Sequence, residues 1–276
     1  MFSPYYRRAF ARNPQVAADD HCALNVCLYG PGGRRWTMTE RGRRDVARSR
    51  SAFAIGRSRL AWQDGRLEIQ VEEREPITGR RVLGRVCVQP RGLSHFAAAL
   101  DGEGRHRWGP IAPCARVELD FGRPGQRWAG AGYLDSNEGD EPVERAFRRW
   151  DWLRTAPAAD GATTVLYDVV RADGATRLIA QRFAADGSST ALPVDAPRQV
   201  LPPGPLWRVD RRVRSADASA RVRRTLEDTP FYARSLLSLP QRGGGAVEAM
   251  HETLDVGRLV HPLMQAMLPV RMPRRG

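Results

Sequence analysis

The chain has 276 residues, 42% of them hydrophobic and 27% charged, which suffices for one large or two small β domains with a solvated surface. Its formal net charge of +13 is carried by arginine alone, since the sequence contains no lysine. The arginines are spread through every segment, which argues against the basic stripe of a nucleic-acid-binding face and leaves solvent or an anionic lipid surface as their partner.

At the N-terminus, Met1-Phe2-Ser3-Pro4 lacks the basic-then-apolar order of a secretion signal, and no later run approaches the roughly 20 apolar residues that cross a bilayer. The four cysteines, Cys22, Cys27, Cys87 and Cys114, lack paired C-x-x-C spacing and lie in apolar or strand-like runs, so they read as reduced core residues, with no metal site. Gly30-Pro31-Gly32-Gly33 joins two apparent strands and opens no helix, which makes it a turn and not a phosphate loop.

Alternation of period two follows: Leu67, Ile69 and Val71 are separated by Glu68 and Gln70, then Val117, Leu119 and Phe121 by Glu118 and Asp120. Period two predicts half-buried strands. Asp64-Gly65, Asp173-Gly174 and Asp186-Gly187 sit between such runs as hairpin turns whose central residues take positive φ. The polar run Ser136-Asn137-Glu138-Gly139-Asp140-Glu141-Pro142 separates two strand-rich halves, predicting domains 1–142 and 143–276. In the second half, strands are predicted over 165–170, 178–183, 207–213, 220–226, 231–239 and 247–254, with no helical period longer than two turns before the C-terminus. There Leu259, Val260, Leu263, Met264, Met267 and Leu268 fall near helical spacing, with Asp255 as N-cap and a restart at Pro262. The basic end, Arg271, Arg274 and Arg275, beside that apolar face suits a membrane interface, while a helix packed on a barrel with a charged tail is the plainer reading.

Neither G-x-G-x-x-G, a P-loop, H-E-x-x-H nor G-x-S-x-G is present, which disfavours the common cofactor, metal and triad chemistries. Two constellations stand out: His106-Arg107-Trp108 and Tyr133-Leu134-Asp135. In an extended segment, residues i and i+2 share a face, so His106 lies beside Trp108 and Tyr133 beside Asp135. Should that face line an apolar cavity, an acid, a phenol, an imidazole and an indole meet there. Taken singly, a histidine in a strand is ordinarily a hydrogen-bonded core or surface group, and an Asp before Ser-Asn ordinarily caps a turn.

The same stretches carry a resemblance to the carotenoid 1,2-hydratase family, also called hydroxyneurosporene synthases. It runs through Phe2-Ser3-Pro4-Tyr5-Tyr6, Asp20-His21-Cys22-Ala23-Leu24-Asn25-Val26, Tyr29-Gly30-Pro31-Gly32-Gly33 and Trp36-Thr37-Met38-Thr39-Glu40-Arg41. It continues in His106-Arg107-Trp108, Gly132-Tyr133-Leu134-Asp135, Asn137 to Pro142, Leu166-Tyr167-Asp168-Val169, Asp228 to Ser235, Met250-His251-Glu252-Thr253-Leu254 and Met267 to Arg274. The likeness implies two tandem lipocalin-like antiparallel β-barrels with a short C-terminal helix, and no metal or organic cofactor. It also implies addition of water across the terminal carbon 1,2 double bond of acyclic carotenes such as neurosporene or lycopene. The family's functional residues fall on His106, Trp108, Tyr133 and Asp135. One departure is expected: members carry a further strand region before the Phe-Ser-Pro-Tyr-Tyr run, so either the start codon is misassigned or the first barrel lacks its first strand.

These readings combine into an expected mechanism. Asp135, kept neutral by burial, protonates carbon 2; Tyr133 or His106 orients it; Trp108 and Tyr133 stabilise the tertiary cation at carbon 1, which water captures. The expected partners are an acyclic carotene, water and, peripherally, the cytoplasmic side of the cell or intracytoplasmic membrane, with no nucleic acid. The alternative is a non-catalytic lipocalin-like carrier of polyenes or terpenoids, because the same barrel would bind without reacting.

Overall fold

The computed structural model describes residues 3–30, 34–193, 195–215, 219–240 and 244–275. Strands dominate, joined by four short helices, and nearly every strand pair is antiparallel. The chain forms two compact units: Met1–Pro90, Arg116–Gly132 and Pro262–Gly276 make one, and Arg91–Ala115 with Tyr133–His261 make the other. Residues 91–115 and 133–142, which precede the boundary expected after Pro142, group with the second unit, and Pro262–Gly276 with the first. Two long strands, His106–Arg123 and Gln126–Gly139, give residues to both units, so no single cut in the sequence separates them. The polar run starting at Ser136 is strand as far as Gly139; its polarity reflects an exposed strand end, with residues 137–139 all exposed.

In the first unit, Val46–Arg48, Ala52–Ile55, Ser58–Gln63, Arg66–Arg74 and Arg81–Pro90 follow one another as an antiparallel meander. The turn between the third and fourth is the predicted two-residue one, with φ of 51° at Asp64 and 73° at Gly65. At Asp173-Gly174 and Asp186-Gly187 only the glycine takes positive φ, because these loops are longer: Arg171 and Ala184 donate to the carbonyls of Ala175 and Ser188. Leu28, Val71, Val82, Leu119 and Phe121 form the core of this unit. Gly84 is required there, since a Cβ would stand 2.4 Å from the Phe121 ring.

A helix over Pro4–Arg12 is an addition to the sequence reading, and its signal is local: Ser3 Oγ accepts from Tyr6 N–H at 2.8 Å, and Pro4 occupies the first turn. Cys22–Leu28 and Arg35–Arg41 pair antiparallel, and Arg274–Arg275 joins Arg35–Arg41 as a parallel strand. The fully buried Glu40 ties these segments together: it accepts from Ser3 Oγ, from Arg274 Nη1 at 2.5 Å, and lies 2.8 Å from His21 Nδ1. Of the four cysteines only Cys114 is buried; Cys22, Cys27 and Cys87 are half-exposed, and so are not core residues. The glycine-rich turn at Pro31-Gly32-Gly33 lies outside the described residues.

The second unit is organised on one seven-stranded antiparallel sheet, in the order Ser189–Ala191, Thr176–Phe183, Thr163–Arg171, Phe147–Thr155, Ala246–Asp255, Tyr232–Pro240 and Arg221–Asp228. It is open, with Ser189–Ala191 and Arg221–Asp228 as its edges, so the expected closed barrel is not formed. A separate pair, Arg198–Leu201 with Arg211–Arg214, accounts for the opening: these residues form a sheet of their own and do not bridge the edges. Residues 207–210, expected as strand, are instead the end of a turn at 205–207 and irregular chain after it: Arg208 has φ of 51° and Asp228 accepts the N–H of Leu206 at 2.6 Å.

The two faces of this sheet differ. Leu153, Leu237 and Ala249 on one face pack with Leu201, Val213 and Ala220 into an aliphatic core. Arg211, 2% exposed, is held there by Pro202 and Pro203 carbonyls and by Thr225 and Ser235 hydroxyls. The register puts Trp150, Trp152 and Arg154 on the opposite face with Tyr167, Val169, Glu252 and Leu254. As expected, Asp255 caps a helix, Val256–Val260, and a second helix, Pro262–Arg271, restarts at the proline. Leu237 is wholly buried in the aliphatic core, and Leu237→Ala leaves a cavity there; denaturant unfolding is expected to show a loss of about 2 to 5 kcal/mol.

Candidate active site

The site belongs to the aromatic face of the second unit. Strand alternation explains its membership: along His106–Arg123 the side chains of His106 and Trp108 turn inward and that of Arg107 outward. Along Gln126–Gly139, Tyr133 and Asp135 share a side, as the i, i+2 spacing predicts. The three groups meet on one atom: Asp135 Oδ2 accepts from Trp108 Nε1 at 2.8 Å and from the Tyr133 hydroxyl at 3.1 Å. Both side-chain donors thus fall on Oδ2, and the backbone N–H of Asp135 also favours the carboxylate.

Burial pushes the Asp135 carboxyl above its ordinary range; the bonds from Trp108 and Tyr133 act in the other direction, and the charge of Glu252 adds to the rise. Burial likewise raises the Tyr133 phenol, with the Asp135 charge as second cause, so Tyr133 is a fixed donor. The Arg154 guanidinium stands 5.2 Å from the centre of the Tyr133 ring, and burial lowers its pKa.

Aromatic rings surround the carboxyl. Trp108, 1% exposed, meets Tyr167 edge-on at 5.5 Å and Phe96 at 6.0 Å, and Tyr133 meets Trp152 at 5.5 Å. Phe96 also lines a cleft of about 610 Å³ between residues 96–99 and residues 177–181. Its lining does not include Trp108, Tyr133 or Asp135; at the acid itself, a neutral carboxyl among π faces can protonate a carbon–carbon double bond and shield the cation that results.

His106 sits apart from this cluster. It is 4% exposed, yet no hydrogen bond joins it to Asp135 or Tyr133, and its Nε2 has no partner among the described residues. Its ring packs 4.8 Å from Phe147, which a register shift between Phe147 and Arg149 brings to the face of Trp150. Burial lowers its pKa, against the nearby charge of Asp101. Asp101 fixes the approach to it by accepting the N–H groups of Glu103, Arg105 and His106. A Cβ on Gly139 would lie 2.6 Å from His106 Nδ1, so glycine is needed there. The structure thus brings Trp108, Tyr133 and Asp135 into direct contact, with His106 one strand position beyond Trp108. The sequence reading gave no role to Phe96, Trp150, Trp152, Arg154, Tyr167 or Glu252. The signal for the strand members was the alternation Trp150-x-Trp152-x-Arg154, which marks one face.

A family model described as "Carotenoid hydratase CrtC" matches residues 1–276. The chain belongs to the CrtC carotenoid hydratase family. Within it, the chain is 50% identical over 280 residues to the acyclic carotenoid 1,2-hydratase of Rubrivivax gelatinosus, covering all of this chain and 68% of that protein. It is 46% identical to the enzyme of the same name from Thiocapsa roseopersicina, across 67% of that protein, and 38% identical to that of Cereibacter sphaeroides, across 95%. Among solved structures, the crystal structure of CghA superposes with a TM-score of 0.54 at 11% identity, covering 88% of this chain and 81% of that one, which is a likeness of fold alone.

In this CrtC family member the raised pKa of Asp135 also governs stability. A carboxyl whose folded pKa lies above its unfolded value, about 3.9, contributes stability below that value and loses it as pH rises through the folded one. Asp135→Asn keeps an oxygen for Trp108 and Tyr133 without the buried charge. The variant is expected to melt higher than wild type at pH 8, with the gap narrowing toward pH 5, as read by thermal unfolding across that range.

Proposed function

We propose that this chain is an acyclic carotenoid 1,2-hydratase in which Asp135 is the acid. The observation that carries the reading is the largely buried carboxyl, raised in pKa by that burial, whose Oδ2 takes the hydrogen bonds of both Trp108 and Tyr133. An isolated trisubstituted alkene takes a proton at carbon 2 because the charge then rests on the tertiary carbon 1, and this needs a neutral acid beside the chain end. Oδ1 supplies the proton; Trp108 and Tyr133 hold the carboxylate that remains. The rings of Trp108, Tyr133 and Tyr167 face the cation, each π face worth about 2 kcal/mol when desolvated. Water adds at carbon 1, and exclusion of further water limits loss of the proton back to the alkene. Acid, water and alkene supply every proton and electron pair of this reaction, so no cofactor is needed for it. His106, without a bond to the acid, shapes the aromatic wall through Phe147 in this reading.

The lipocalin-like reading belongs to the same proposal. In the open seven-stranded sheet the strand first in sequence, Phe147–Thr155, pairs with the last, Ala246–Asp255, which is a neighbour relation also found in an up-and-down barrel. Docking on the cytoplasmic side of the membrane is proposed from helix Pro262–Arg271, where Leu263, Met267 and Val270 are 59%, 41% and 65% exposed at i, i+4 and i+7 spacing. Vesicles rich in anionic lipid are expected to carry the protein through flotation, and about 0.5 M salt to release it, because the Debye length then falls to a few ångströms.

Expression in a lycopene-producing bacterium is the direct test: pigment extracts are expected to contain the 1-hydroxy product with wild type and lycopene alone with Asp135→Asn. Retention of unchanged pigment by the wild-type protein would favour a carrier. The neutral acid is the active form, so the rate is expected to fall as pH rises through the raised Asp135 pKa. Trp108→Phe removes a bond that favours the carboxylate and moves that limb to higher pH, with a lower plateau.

A further inference from the structure

The acid accounts for only half of a hydration. Once water has bonded to carbon 1, the oxygen is an oxonium and must release a proton, and a group already aimed at the chain end does this faster than bulk solvent. The aromatic face holds a second carboxylate. Glu252 is the register partner of Trp152, whose ring stacks beside Tyr133, the hydroxyl bonded to Asp135. It is also the register partner of Arg234, whose Nε donates to Glu252 Oε1 at 2.8 Å. Arg234 in turn lies 5.5 Å from the ring centre of Tyr232. The Glu252 side chain is 25% exposed, so it reaches water, unlike the more enclosed acid.

We infer that Glu252, ion-paired with Arg234 on the face that holds Asp135, is the catalytic base that takes the proton from the water added at carbon 1. This rests on the hydratase reading. The two carboxyl groups divide the labour: Asp135 is pushed toward its neutral form by burial, whereas Glu252 is matched by a guanidinium. The step balances. The alkene π pair takes the proton from Asp135 Oδ1 and becomes the carbon 2 C–H bond; a lone pair of water forms the C–O bond at carbon 1. The O–H pair of that water stays on oxygen as its proton passes to Glu252. Asp135 ends ionised and Glu252 neutral, and exchange of one proton with solvent at each resets them. The ionisable groups facing Glu252 are Arg234 and Tyr232 from the adjoining strand, with Asp135, Tyr133, Tyr167 and Arg154 on the same face.

The test uses purified protein, lycopene in vesicles, and sodium azide. Glu252→Gln keeps the shape and a hydrogen bond to Arg234, and its kcat for hydration is expected to fall at least about 100-fold, within the range for general-base catalysis, with KM within about threefold. In Glu252→Ala, azide anion, which bonds to carbon 1 without a proton to lose, is expected to trap the cation as the 1-azido adduct while water capture stays slow. Asp135→Asn is expected to give neither product. The inference is overturned if Glu252→Gln hydrates within about threefold of wild type. It is equally overturned if Glu252→Ala, folded and lycopene-binding, forms no azide adduct. Failure of the wild-type protein to hydrate lycopene under these conditions would instead overturn the hydratase reading itself.

Discussion

The chemistry of this protein depends on a single carboxyl oxygen that accepts two hydrogen bonds in a largely buried, ring-lined place. Asp135 Oδ2 is claimed by an indole and a phenol. Both donors favour the carboxylate, and burial opposes them by a larger margin. The balance leaves an acid that is neutral above its usual range yet well solvated by the protein once it has given its proton. Neither half of that balance would serve alone: without burial the group would be ionised before substrate arrived, and without the donors its conjugate base would be an unpaired charge among rings.

That balance is made possible by a sheet with two unlike faces. The aliphatic face, centred on Leu153, Leu237 and Ala249, supplies cohesion and is sealed by the Arg198–Leu201 and Arg211–Arg214 pair. The other face is freed from that duty and carries rings and ionisable groups: Trp150, Trp152, Tyr167, Arg154, Glu252. Charges on both faces are matched: Arg211 and Asp168 on the first by carbonyls, hydroxyls and guanidinium groups, Arg154 and Glu252 on the second by an aromatic plane and by Arg234.

Much of this was legible as period two. Alternation located the strands, and the i, i+2 rule paired Tyr133 with Asp135 and His106 with Trp108 before any coordinates. What alternation could not supply is register between strands distant in sequence, so Glu252 and Trp152 as neighbours, 100 positions apart, were invisible. The position of His106 shows the same limit: sharing a face with Trp108 does not place an imidazole in reach of the acid, and a bulge at Phe147 decides what it touches. The boundary after Pro142 was read from composition, which registers polarity but cannot tell an exposed strand end from a linker. The first helix was overlooked because its signal is a cap, Ser3 followed by Pro4, and not a long periodic run.

The Glu40 clasp has a consequence for biosynthesis. Its partners Ser3, His21 and Arg274 are separated by most of the chain, and Arg274 leaves the ribosome after the whole second unit has been made. Until then Glu40 lacks the guanidinium that faces it in the folded chain, and an early stop that spares every residue of the aromatic site would still leave the clasp without Arg274.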